Sequence, residues 1–144
     1  EILILDEPTS GLDPGERVKF RKFISEFAQN RIVLISTHIV SDVEYIATCN
    51  AVMKDGKIIS TGSTGELVKA VEGRVWESII SPDQLDRCER NARIVNVLNE
   101  KDGNLSIRYL SASPDIPNSK PAVPRLEDLY LWLFPQDKSE KEEI

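Results

Sequence analysis

The chain has 144 residues, of which 40% are hydrophobic and 29% charged, with a net charge of −6. Those proportions fit one folded domain with a small appendage and exclude a disordered chain. Both halves are acidic and show no basic patch, so no nucleic-acid partner is expected. No apolar run approaches the roughly 20 residues a membrane-spanning helix needs.

Cys49 and Cys88 form neither a metal-ligand spacing nor a disulfide framework, and are expected to be free thiols in a reducing compartment. The chain opens at Glu1, already inside a strand-like run, and is read as part of a longer polypeptide.

In chain order, the continuous apolar run Ile2–Leu5 predicts a strand covered on both faces, as in a parallel sheet. Asp13 followed by Pro14 marks a helix start, an N-cap oxygen and then a residue whose missing N–H costs nothing there. Phe20, Phe23, Ile24 and Phe27 then form a stripe that should face a core. Arg17, Lys19, Arg21 and Lys22 fall mostly outside it and read as a solvated face. Ile32–Ile35 predicts a second buried strand. Ser41 and Glu44 have capping-box spacing ahead of a short helix, as do Ser63 and Glu66. Between those helices, Ala51–Met53 and Lys57–Ser60 flank Asp55-Gly56, a strong hairpin signal.

Strand, helix, strand, helix is the α/β alternation of a parallel sheet. After Gly73 the pattern changes. Arg74–Ile80 predicts a strand, Ser81-Pro82-Asp83-Gln84 a capped helix start, and Asp102-Gly103 a hairpin between Arg93–Asn99 and Leu105–Leu110. Residues 111–123, with three prolines, read as a loop. A helix is expected from Pro124, with Leu126, Leu129, Tyr130, Leu133 and Phe134 on one face and Pro135 as its stop. Leu131 and Trp132 lie off that stripe and read either as surplus core or as an exposed contact patch.

The chemistry concentrates at the end of the first strand. A buried strand ending in Asp6-Glu7 places two carboxylates at a core edge, where charge must be paired or bound to a cation. One carboxylate suits Mg²⁺, a hard ion that keeps several waters. The next points the other way along the pleat and can orient or deprotonate a water.

Glu7-Pro8-Thr9-Ser10-Gly11-Leu12-Asp13 resembles the Walker B and D-loop segment of ATP-binding-cassette ATPases, and Ser36-Thr37-His38 resembles their H-loop. The resemblance covers about residues 1–72. It implies the C-terminal part of a P-loop nucleotidase core, with parallel strands and helices, that uses ATP and Mg²⁺. Carried over, Asp6 holds Mg²⁺, through water, Glu7 polarises the attacking water, and His38 contacts the γ-phosphate as a neutral imidazole donating one N–H. Ser10, Gly11, Leu12 and Asp13 lie at the interface with a second nucleotide-binding domain. Cys49-Asn50-Ala51 departs from the acidic and basic pair common at that point of the family.

The chain contains no Gly-x-x-x-x-Gly-Lys-Ser/Thr phosphate loop, and the family's Q-loop and Leu-Ser-Gly-Gly-Gln signature are also absent from it. The expected organisation is therefore a partial core over residues 1–72, a small α+β unit of β-α-β-β-α order over 73–135, and a charged, disordered tail over 136–144.

The second region, through Gly73-Arg74-Val75-Trp76-Glu77 and Pro124-Arg125-Leu126-Glu127-Asp128-Leu129-Tyr130, resembles the C-terminal extension of ATPase subunits of bacterial drug and antibiotic exporters. The implied parent is the ATP-hydrolysing subunit of an exporter, driving a separate membrane permease from the cytoplasmic face of the membrane, and the chain alone is expected to be inactive. The alternatives are a soluble cassette ATPase acting on ribosomes or DNA, and a non-enzymatic interaction fragment.

Overall fold

The computed structural model describes residues 1–135, which fold as two compact units, Glu1–Gly65 and the residues from Glu66 on. The tail expected over 136–144 lies outside the described residues.

In the first unit, β1 (Ile2–Asp6) and β2 (Ile32–Ser36) form a parallel pair in which Ile2 faces Ile32, Ile4 faces Leu34 and Asp6 faces Ser36. The crossover between them is α1 (Pro14–Phe27). Its start is the expected one: the Asp13 carboxylate accepts from the Glu16 N–H at 2.8 Å, and Glu16 reaches back to the Asp13 N–H.

The strands differ from expectation. Leu3, Leu5, Val33 and Ile35 are half-buried, but Ile2, Ile4, Ile32 and Leu34 are 58–69% exposed. One sheet face is packed and the other is bare. The phenylalanine stripe is also only partly inside: Ile24 is buried, Phe20 and Phe27 are half-buried, and Phe23 is exposed, its ring stacked on Phe27.

Helix α2 (Val40–Ile46) starts at Ile39 without a side-chain cap, so Ser41 lies inside the helix instead of opening it. Hairpin β3 (Asn50–Lys54) and β4 (Lys57–Gly62) turns at Asp55-Gly56, where φ is positive at both residues, as a tight two-residue turn requires. Helix α3 (Thr64–Val68) follows and carries the division between the units.

The second unit is a four-stranded antiparallel sheet. β5 (Val75–Ile80) pairs with β7 (Leu105–Leu110), which pairs with β6 (Arg93–Asn99). The proline-rich stretch expected as a loop supplies a fourth strand, β8 (Lys120–Pro121), on Trp76 and Glu77. Proline is tolerated there because β8 is an edge strand. The same stretch buries Ile116, and the Pro117 carbonyl accepts from the Ser78 hydroxyl at 2.7 Å.

One sheet face carries Ile80, Leu105, Ile107 and Tyr109, which pack with Ile116 and with Cys88 of α4 (Leu85–Asn91). On the other, Arg108 faces Glu77 across the strands and bonds Asp128 of α5 (Leu126–Leu133). That helix starts two residues later than expected, because the Asp128 carboxylate caps the Arg125 N–H at 2.7 Å. Leu131 and Trp132 are half-buried: Arg93 donates to both carbonyls, and the Arg74 guanidinium lies 4.9 Å from the Trp132 ring centre. No helix among the described residues is long and apolar enough to cross a membrane.

Candidate active site

Parallel pairing of β1 with β2 brings the two strand ends side by side, and with them Asp6-Glu7 and Ser36-Thr37-His38. The Ser36 hydroxyl donates to Asp6 Oδ1 at 2.8 Å. Glu7 is the first residue past the strand. Its N–H donates to the Ser36 carbonyl at 2.7 Å, and its φ is +46°, a left-handed conformation uncommon outside glycine and asparagine. This bend, more than simple strand alternation, aims the Glu7 side chain across to β2.

Glu7 Oε1 accepts from the His38 backbone N–H at 2.9 Å and is 2.8 Å from ring Nδ1, while Oε2 accepts from the Thr37 hydroxyl at 3.1 Å. The hydrogen bond from the His38 ring lowers the Glu7 pKa most. Partial desolvation opposes it, and the His38 N–H and Thr37 add to the lowering, so the side chain stays a carboxylate at neutral pH. A carboxylate accepts at about four positions, of which three are filled, leaving one for a water.

An ionised carboxylate only accepts, so the hydrogen between Glu7 and His38 sits on Nδ1. The neutral ring then presents a lone pair at Nε2, and donation from Nε2 to a phosphoryl oxygen requires the doubly protonated ring.

The available donors at Asp6 are carboxylate and hydroxyl oxygens on an exposed side chain. Such a set suits Mg²⁺ held mainly through water. Among the described residues no group of three or more His, Cys, Asp or Glu is placed to hold a metal ion.

The residues following Glu7 form a tight turn: the Ser10 N–H donates to the Glu7 carbonyl and the Leu12 N–H to the Thr9 carbonyl, both at 3.2 Å. Gly11 has φ +79°, which suits glycine. Ser10 and Gly11 are exposed, Leu12 is half-buried, and Asp13 is engaged as the cap of α1.

Three contributors went unrecognised from sequence. Thr37 braces Glu7, Ser36 holds Asp6, and Asp42 is a buried hub. Asp42 accepts from the Thr9 hydroxyl and from Arg21, and lies 3.7 Å from Arg17. Arg17 and Arg21, read as solvated, are therefore turned inward as an i, i+4 pair on α1; a missing partner for Asp42 was the signal to look for. Lys22, by contrast, is solvated, 4.0 Å from Glu26.

Burial works against ionisation of Asp42, but the Thr9 and Arg21 hydrogen bonds and the charges of Arg21 and Arg17 outweigh it and lower its pKa. A lowered folded-state pKa contributes stability that is present above the ordinary value of 3.8 and is lost as pH falls through the lowered one. Urea unfolding followed from about pH 5 to pH 2 should show a steep acid loss that Asp42→Asn flattens.

No protein-family model matches the chain. Individual relatives do. It is 36% identical over 110 residues to the energy-coupling factor transporter ATP-binding protein EcfA of Methanocaldococcus jannaschii, covering 76% of this chain and 37% of that one. It is 35% identical over 81 residues to the phosphate import ATP-binding protein PstB of Thermotoga maritima, covering 56% of this chain and 32% of that one. An uncharacterised ABC transporter ATP-binding protein of Bacillus subtilis, YcbN, is 33% identical over 110 residues, covering 70% of this chain and 34% of its own length. The chain thus spans about a third of the length of these three curated relatives. Two strand ends that join Asp6-Glu7 to Ser36-Thr37-His38, together with these likenesses, place the chain in the ATP-binding-cassette ATPase family.

Proposed function

We propose that this sequence supplies the water-activating side of an ATP hydrolysis site, within a nucleotide-binding subunit that drives a separate membrane permease from the cytoplasmic face. The observation that carries the reading is the Glu7 carboxylate, bent out of β1 and held by the His38 backbone, the His38 ring and Thr37 with one acceptor position open.

Glu7 orients a water and takes its proton. His38 fixes the carboxylate through its backbone N–H and its ring Nδ1–H, and donates from Nε2 to the phosphoryl group when the ring is doubly protonated. Asp6, braced by Ser36, holds the Mg²⁺ waters. Bound Mg²⁺ neutralises charge on the phosphates. Grip on the triphosphate needs a run of backbone N–H groups and a lysine, for which this chain has no phosphate loop. The exposed Ser10-Gly11 turn is assigned to contact with a second nucleotide-binding domain. An exporter role rests on the likeness of residues 73–135 to exporter extensions.

Two measurements test the reading. Titration of Mg-ATP into this chain should show no affinity tighter than about 1 mM, because the N–H cradle and lysine carry most triphosphate binding. The polypeptide in which this sequence follows a phosphate loop should release phosphate from Mg-ATP. Micromolar binding by the chain, or no hydrolysis by that longer protein, refutes the assignment.

A further inference from the structure

A buried carboxylate outside the Glu7–His38 pairing closes a ring around it. From Glu7 the chain runs to Thr9, whose hydroxyl donates to Asp42 Oδ2 at 2.5 Å. From Asp42 it returns through the first turn of α2 to His38, whose backbone and ring both bond Glu7 Oε1. Thr9 and Asp42 are each only 2% exposed, so water competes little for their bond. The other Asp42 oxygen accepts from Arg21 Nη2 at 2.5 Å and Nε at 3.2 Å, which fastens the ring to α1.

Glu7 is the strained member of this ring. Its φ of +46° is a conformation that a residue with a Cβ keeps only when its surroundings hold it there. On its N-terminal side the sheet holds it, through the Ser36 carbonyl. On its C-terminal side the turn holds it, and the Thr9–Asp42 bond is the side-chain tie nearest to Glu7 there.

We propose that Asp42 is a positioning residue: through Thr9 it holds Glu7 in the left-handed conformation that keeps its carboxylate on His38. Its importance for hydrolysis rests on the function proposed above, whereas the mechanical link does not. A residue that merely added stability would loosen the whole unit when removed. A positioning residue loosens the ring and leaves the strand pairing alone.

Residue-resolved amide hydrogen exchange on the full chain separates these cases, comparing wild type with Thr9→Val, Thr9→Ser and Asp42→Asn. Valine keeps the shape of threonine and removes only the donor. A hydrogen bond to a charged group is strong enough that its loss should speed exchange of the His38 and Ser10 amides by about tenfold. The amides that pair β1 with β2 should be unchanged, and Thr9→Ser should restore the wild-type pattern. The chain has one histidine, so its imidazole signals are unambiguous, and the Nδ1 hydrogen-bond signature should weaken in Thr9→Val alongside the faster exchange.

Equal acceleration of the sheet amides, or an unchanged His38 amide in Thr9→Val, overturns the proposal. If Asp42→Asn fails to fold, the Thr9→Val and Thr9→Ser pair still decides. No nucleotide is needed, so failure of this link leaves the ATP assignment standing, and failure of hydrolysis in the longer protein leaves the link standing.

Discussion

Alanine at position 128 is expected to destabilise the second unit by about 3–5 kcal/mol, the cost of stripping the partner from a buried charge. Arg108 and Asp128 are 7% and 2% exposed and meet in a two-pronged pair, Nε to Oδ1 at 3.0 Å and Nη2 to Oδ2 at 2.6 Å. Arg108 also donates to Glu77 and to the Val123 carbonyl, so it ties β5, β7, α5 and the segment before α5 together. Losing Asp128 removes the α5 cap as well, for about 1 kcal/mol more.

Against a domain stability of about 5–15 kcal/mol, that loss leaves little. Glu77→Ala should cost no more than about 1 kcal/mol, because that carboxylate is 50% exposed. Replacing both partners, as Arg108→Met with Asp128→Leu, should recover most of the loss, since apolar pairs of similar volume replace buried ion pairs at little cost. Both tryptophans, Trp76 and Trp132, lie in this unit, so denaturation followed by their fluorescence reports on it directly. An Asp128→Ala midpoint equal to wild type would show that the pair carries no net stability.

On the proposed function, Glu7→Gln in a polypeptide where this sequence follows a phosphate loop is expected to lower phosphate release by about 10²–10⁴-fold, the range of general-base effects. Glutamine can still accept from the His38 backbone through its one carbonyl oxygen, with its amide nitrogen donating to the Thr37 hydroxyl, but it cannot take a proton from water, so nucleotide binding should survive. Asp6→Asn should behave differently, weakening Mg²⁺ and turnover together while leaving the Glu7–His38 bonds intact. A phosphate-release assay beside a nucleotide-binding measurement separates the two variants. Wild-type turnover in Glu7→Gln would show that Glu7 is not the base.

Strands β1 to β7, the Asp13 cap and the Asp55-Gly56 hairpin were legible, because each follows from periodicity or capping over a few residues, whereas a shared role for Asp6-Glu7 and His38 came only from the family resemblance. Legibility ended where a partner came from far along the chain. Arg17 and Arg21 looked solvated because nothing within their own helix announces Asp42. Pro117 and Pro121 signalled a loop correctly by local chemistry, yet β5 needed an edge partner and recruited Lys120–Pro121. The bare face of Ile2, Ile4, Ile32 and Leu34 follows from the expectation of a partial core, which leaves apolar strand faces without their covering elements, and not from the strands' own pattern. A continuous apolar run predicts burial on both sides and says nothing of what covers each one.

The bend at Glu7 gives mutation a direction. A left-handed backbone costs roughly 1–2 kcal/mol for an ordinary residue, and glycine or asparagine would relieve it. In a lineage that no longer used the reaction, drift toward either residue at position 7 would therefore be downhill for folding. A glutamate that stays there runs against the backbone's own preference, so position 7 discriminates between working and decayed copies of this sequence better than the apolar strand before it, where relaxed selection and ordinary core drift leave the same hydrophobic pattern.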